Sequence, residues 1–167
     1  MSSWRLVVAS FSLIVVTVIA FASSEAVAGQ RLEVEFELPP IATVDYNKPY
    51  VAIWAERAGD AETLLLWHLK GRADDKWLPD IRRWWRKDGR YGLPVDTITG
   101  ATRGPGRYRR VFDLSSEAAF TLCIEVVRED GGRTLLKQAL TPGESDQEFR
   151  FPADKELGPT IIRLRES

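Results

Sequence analysis

Arg31-Leu32-Glu33-Val34-Glu35-Phe36-Glu37-Leu38 alternates charged and apolar residues without a break. Successive side chains of a strand point to opposite faces, so Leu32, Val34, Phe36 and Leu38 share one face and the charges share the other. One face for a core and one for water marks an antiparallel strand in a layered β protein. Pro39-Pro40 ends it, because proline has no N–H to give a ladder.

The chain downstream continues in strand-length pieces. Residues 50–56 (Y-V-A-I-W-A-E) and 63–69 (T-L-L-L-W-H-L) read as a second and third strand, joined through Ala58-Gly59-Asp60 as a hairpin. A fourth apolar segment runs from near Arg107 to Phe112. Residues 120–128 (F-T-L-C-I-E-V-V-R) alternate again, with Phe120, Leu122, Ile124 and Val126 facing inward. Asp130-Gly131-Gly132 turns the chain into residues 133–140, and residues 147–151 and 160–165 complete the set. Short strands separated by turn signals predict an all-β, immunoglobulin-like antiparallel sandwich of seven to eight strands.

One short helix is inserted. In residues 77–87 (W-L-P-D-I-R-R-W-W-R-K), Pro79 and Asp80 suit a first turn, basic residues a last turn, and Gly89 a C-cap. Helical spacing puts Leu78, Ile81 and Trp85 on one face with Trp77 and Trp84 beside it. The excursion at about residues 71–106 is too long to be a bare connection, which marks it as a candidate functional region.

Residues 1–28 have the layout of a secretory signal peptide. Arg5 supplies the n-region charge, residues 6–22 are mainly apolar, and Ala26-Val27-Ala28 is a small-residue cleavage site. Cleavage leaves 139 of the 167 residues, enough for one domain, 29–167, with one core. The expected compartment is the periplasm or the exterior. Cys123 is the single cysteine, so an internal disulfide is excluded, and His68 is the single histidine, so no histidine cluster exists to bind a metal. No Walker or Rossmann glycine loop is present, and no Ser-His-Asp set is arguable, which makes a stand-alone enzyme the weaker expectation. Catalytic and metal-binding residues are therefore not assigned.

Charge is balanced overall, at a formal net −1, but not locally. Residues 70–110 hold twelve Lys/Arg against five Asp, a net +7. A basic stretch of this kind attracts an anionic phosphate or an acidic partner, or else is simply a solvated face. The overall balance and the export signal argue against nucleic acid.

Within that basic stretch, Asp96-Thr97-Ile98-Thr99-Gly100-Ala101-Thr102 reads D-x-x-T-G-A-T. This resembles the acceptor motif on which bacterial flavin transferases attach FMN through a phosphoester. The resemblance implies that the Thr102 hydroxyl is the acceptor, that Gly100 and Ala101 keep the approach clear, and that Asp96 and Thr99 are recognition positions. A transferase must enclose its target, so Thr102 is expected in an accessible, irregular segment. The alternative is an ordinary surface turn, for which T-G is common punctuation.

W-L-P-D-I-R-R-W-W-R at 77–86, T-G-A-T-R at 99–103 and P-G-R-Y at 105–108 together resemble a family of bacterial periplasmic proteins, domain of unknown function 2271. The likeness spans most of the mature chain, and it implies extracytoplasmic redox or iron-related company with membrane flavoproteins nearby. Members often carry a W-D-G-x-D segment before the penultimate strands, as in the immunoglobulin-like modules of flagellar hook-capping proteins. Residues 112–120 here lack its Trp and its glycines.

Two functions follow. In the first, the protein is an electron carrier holding covalent FMN on Thr102, served by a flavin transferase and a membrane redox protein. Trp84 and Trp85, with Trp77 and Tyr91, then stack against the isoalloxazine, and Arg103 and Arg107 lie near the phosphate. In the second, it is a non-catalytic immunoglobulin-like interaction module with a basic docking surface, and the tryptophans cap the core.

Overall fold

The computed structural model describes residues 30–69, 75–92, 98–114, 116, 118–143 and 146–166. The leader expected at 1–28 and Asp96, expected as a recognition position, lie outside the described residues. Nine strands are described: β1 (Gln30–Leu38), β2 (Tyr50–Arg57), β3 (Asp60–His68), β4 (Thr99–Ala101), β5 (Gly106–Leu114), β6 (Phe120–Val127), β7 (Arg133–Leu140), β8 (Gln147–Phe151) and β9 (Thr160–Glu166). They form an all-β sandwich of a four-stranded sheet, in the order β5-β1-β9-β8, and a five-stranded sheet, in the order β4-β3-β2-β6-β7. Every pairing is antiparallel except that of β3 with β4.

The core between the sheets is the one the alternation predicts. Leu32, Val34, Phe36 and Leu38 of β1 meet Val51, Ile53 and Ala55 of β2 and Leu122, Ile124 and Val126 of β6, all buried. The outward face of β1 carries ion pairs: Arg163 of β9 reaches Glu33 and Glu35 at 2.6 and 2.5 Å and Glu148 of β8 at 2.7 Å, and Arg109 of β5 also binds Glu33. The Arg109 hydrogen bond, joined by that from Arg163, holds the Glu33 carboxyl at about 2, against desolvation pushing the other way.

A second cluster lies on the outer face of the five-stranded sheet. Tyr50, Ala52 and Trp54 of β2, Leu66 of β3 and Cys123 of β6 pack against Leu78, Ile81 and Trp84 of the helical excursion. β2 is thus covered on both faces, which is why its sequence is a continuous apolar run. A bulge between Ile53 and Trp54 shifts the β2–β3 register by one residue and brings Thr63 opposite Trp54.

The excursion departs from the single helix expected. It comprises a 3-10 segment (Asp75–Asp80), helix α1 (Arg82–Lys87) and a further 3-10 turn (Gly89–Tyr91). Ile81, at φ −77° and ψ 71°, breaks the helix between the first two pieces. The break turns the second piece, so Trp84 is buried with Leu78 and Ile81, whereas Trp85 is only half-buried. Gly89 is not a C-cap either. A Cβ there would stand 2.6 Å from the Trp84 ring, so the glycine permits close approach of backbone to indole.

Glu125 of β6 anchors this layer to the sheet. It is 0% exposed, and its carboxylate accepts the backbone N–H of Arg83 (3.0 and 3.2 Å) and of Trp84 (3.0 Å) and the Arg133 Nε–H (2.6 Å). The first amides of a helix have no partner within it. Ile81 offers no side-chain cap, so a carboxylate from the neighbouring sheet does that work. Beside it, Arg83 donates two hydrogen bonds to Glu56, at 2.8 and 2.6 Å. Burial acts to raise the Glu56 carboxyl, but the bonds from Arg83 and Trp54 outweigh it and leave it below the ordinary range.

Candidate functional site

The T-G-A-T stretch forms the outer edge of the five-stranded sheet. Thr99, Gly100 and Ala101 make β4, paired in parallel with Leu66, Trp67 and His68 of β3. The Leu66 N–H donates to the Ile98 carbonyl at 2.9 Å and the Thr102 N–H to the His68 carbonyl at 3.2 Å, so the pairing runs one residue beyond the strand at each end. Thr102 itself is half-buried and lies just past the strand, in the irregular residues 102–105 that lead to β5.

β4 and β5 are edge strands of different sheets, so these four residues bridge the sandwich along its open side. What closes that side is aromatic and cationic. Trp67 is 2% exposed and meets Tyr108 edge-on at 5.0 Å, with Phe36 at 5.7 Å from both rings. Gly100 is paired with Trp67, and a Cβ on it would lie 3.0 Å from the indole Cδ1. The glycine of the motif therefore has a packing reason to be there. The Tyr108 hydroxyl donates to the Gly104 carbonyl at 2.7 Å and fixes the bridging residues.

Two guanidinium groups lie over the same indole, Arg103 at 4.9 Å and Arg110 at 5.1 Å from its ring centre, and Arg103 is 5.9 Å from that of Tyr108. A ring face attracts cations, which is what holds two like charges here. Desolvation, with the positive charge of Arg103 next, lowers the Arg110 pKa from its ordinary value. Arg110 donates a hydrogen bond to the backbone carbonyl of Arg109, at 2.9 Å. Among the described residues neither Arg103 nor Arg110 forms an ion pair with a carboxylate. The segment after β4 is accordingly a positively charged edge with a hydroxyl in it.

Thr99, Gly100, Ala101, Thr102 and Arg103 are thus contiguous at this edge. Two other expectations are corrected. Arg107 points to the outer face of the four-stranded sheet, where it pairs with Glu37 at 3.0 Å. Trp84 is 0% exposed, and its Nε1–H donates to Thr63 Oγ1 at 2.7 Å, with Thr63 in turn donating to Asp88. A ring enclosed in this way has no face to offer a flavin. Trp85, 6.3 Å from Trp84, belongs to the same helical layer. The residues that do surround the edge, Trp67, Tyr108 and Arg110, were not singled out from sequence. Their signal was the strand pairing that sets Gly100 beside Trp67.

The family model described as "Predicted periplasmic protein (DUF2271)" matches residues 31–159, and the chain belongs to that family. No curated protein and no solved structure matches it. The family description places the protein in the periplasm, and among the described residues no helix is long and apolar enough to cross a membrane.

Proposed function

We propose that this periplasmic family member is a carrier of covalently attached FMN, with Thr102 as the acceptor, and that it passes electrons between a membrane redox protein and an acceptor. The observation that carries the reading is the pair of arginines, Arg103 and Arg110, with no carboxylate partner among the described residues, gathered at the edge that holds Thr102. A phosphodiester at Thr102 brings a negative charge to a place already supplied with positive charge and N–H donors. The residues present therefore fit a flavin phosphate.

Attachment joins the Thr102 oxygen to the FMN phosphorus. The hydroxyl proton leaves, and so does the group that the phosphorus carried in an activated flavin donor, in the active site of a flavin transferase. When bound, the flavin supplies reversible one- and two-electron transfer. This chain does the rest. Arg103 and Arg110 would hold the phosphate oxygens, and the Tyr108 hydroxyl keeps residues 102–105 in place through Gly104. Gly100 lets β4 lie flat against Trp67. Among the described residues β4 is the outermost strand of its sheet, so a transferase can approach it from the side away from β3 while it encloses the threonine.

Intact mass after co-expression with a flavin transferase tests this. The expected gain is one FMN less one water, with yellow colour. Thr102→Val keeps the shape, removes the hydroxyl and abolishes the gain, whereas Thr99→Val leaves part of it and Asp96→Ala weakens it. Unlabelled wild-type protein, where a known substrate is fully labelled, would refute the proposal and leave the interaction module as the reading.

A further inference from the structure

We infer that the cleft between the β2–β3 turn and the C-terminal end of α1 binds a small oxyanion, a phosphate or carboxylate group. The cleft measures about 630 Å³, and its walls include Arg57, Asp60, Arg86, Lys87, Arg90 and Tyr91. Arg57 is the decisive residue. Its side chain is 15% exposed, its Nη1 donates to Glu62 at 2.9 Å, and its guanidinium lies 5.4 Å from the centre of the Phe120 ring. Its Nε and Nη2 are buried and meet no acceptor among the described residues.

Those two nitrogens form one edge of the guanidinium, the edge that grips a two-oxygen acceptor. The same protein shows this use twice. Arg83 presents Nε and Nη2 to the two oxygens of Glu56, and Arg128 presents them to those of Glu156, at 2.6–3.1 Å. In Arg57 the corresponding edge has no such partner. Guanidinium stays protonated at any ordinary pH, so its donors cannot be discharged by losing a proton, and each buried donor left unpaired carries an uncompensated desolvation cost.

The surroundings favour an anion. Arg86 and Lys87 form no ion pair among the described residues, and Arg90 lies 4.8 Å over Tyr91, which is 72% exposed. The carboxylates at the cleft are engaged: Asp60 accepts the Ala61 N–H at 2.9 Å, and Asp88 accepts the Thr63 hydroxyl. Because the Arg57 edge is shielded from water in this conformation, an entering oxyanion engages it by a turn of the guanidinium toward the cleft. The site is independent of the flavin reading. Asp60 opens β3 and His68, beside Ala101, closes it, so the two places are about 26 Å apart at ~3.3 Å per residue.

Titration of the full-length protein with inorganic phosphate, followed by amide NMR at fixed ionic strength, tests the site. Saturable shifts at residues 57–62 and 86–91 are expected, and chloride should not reproduce them. Acetate that displaces phosphate assigns carboxylate as a ligand as well; acetate that does not assigns phosphate alone. Arg57→Lys keeps the charge but loses the two-donor edge and should weaken binding about fivefold or more. Arg86→Gln with Lys87→Gln, both at the surface, should weaken it about threefold, and Thr102→Val should leave it unchanged. Unsaturable shifts, equal shifts with chloride, or unchanged affinity in Arg57→Lys would overturn the inference. Should Arg57→Lys fail to fold, unchanged affinity in the Arg86/Lys87 pair overturns it alone.

Discussion

Replacing Glu125 by alanine should be among the most damaging single changes in this domain. The carboxylate is fully buried and accepts two backbone N–H groups at the start of α1, together with the Arg133 Nε–H. Truncation orphans both amides, that of Trp84 buried and that of Arg83 partly so, at roughly 1–3 kcal/mol each. Arg133 is 36% exposed and finds water instead, so it adds little. The sum is about 2–6 kcal/mol, a large part of the roughly 5–15 kcal/mol by which domains are stable. For a domain of this size that corresponds to a fall in Tm of about 10 °C. Glu125→Gln keeps a carbonyl oxygen for the two amides and loses only the charged contact, so its loss should be about half as large. Urea unfolding followed by tryptophan fluorescence measures both. A loss under about 1 kcal/mol in Glu125→Ala, or a glutamine variant no better than the alanine one, would refute the view that this carboxylate caps the helix.

Gly100→Val places a branched side chain on the Trp67 indole and should cost about 1–3 kcal/mol in urea unfolding, with Gly100→Ala milder; equal stability of all three would show that β4 is not tightly packed. The Cys123 thiol, driven up to about 12 chiefly by burial, should react with a disulfide reagent only as fast as the protein unfolds, and rapid labelling of the native state would contradict this. The Glu33 carboxyl is held at about 2, below the 4.5 of a free side chain. Its contribution is therefore complete above about pH 4.5 and lost as pH falls toward 2, so acid melts of Glu33→Gln should show a flatter decline than wild type.

The strands facing one core were legible because alternation states which side faces it. β1, β6 and β7 through β9 fall within a few residues of where periodicity puts them. Alternation says nothing of what covers the other side. Glu125 sits at an outward position of β6 and reads as a solvated charge, yet the helical layer buries it completely. The same blindness applies to Trp84 and Trp85, because one non-helical residue, Ile81, decides which indole turns inward. At the edge, T-G-A-T was conspicuous as a motif but carried no strand pattern. Three residues are too few for periodicity, and their partner, β3, is parallel and about thirty residues away. The arginines on Trp67 became apparent only once that pairing was known.

The position of β1 sets the order in which the molecule can close. It lies between β5 and β9, pairing Gln30 with Leu114 on one side and with Glu166 on the other. Among the described strands, the first to emerge during synthesis thus waits for the last before its sheet is complete. Partners so distant in sequence make for slow closure, since the loop entropy is lost before any contact rewards it. Meanwhile β1 shows bare hydrogen-bonding edges, and its Glu33, Glu35 and Glu37 keep such a chain from stacking on its own kind. The acidic face that later organises the ion pairs thus also acts as a gatekeeper against aggregation during the interval before β9 arrives.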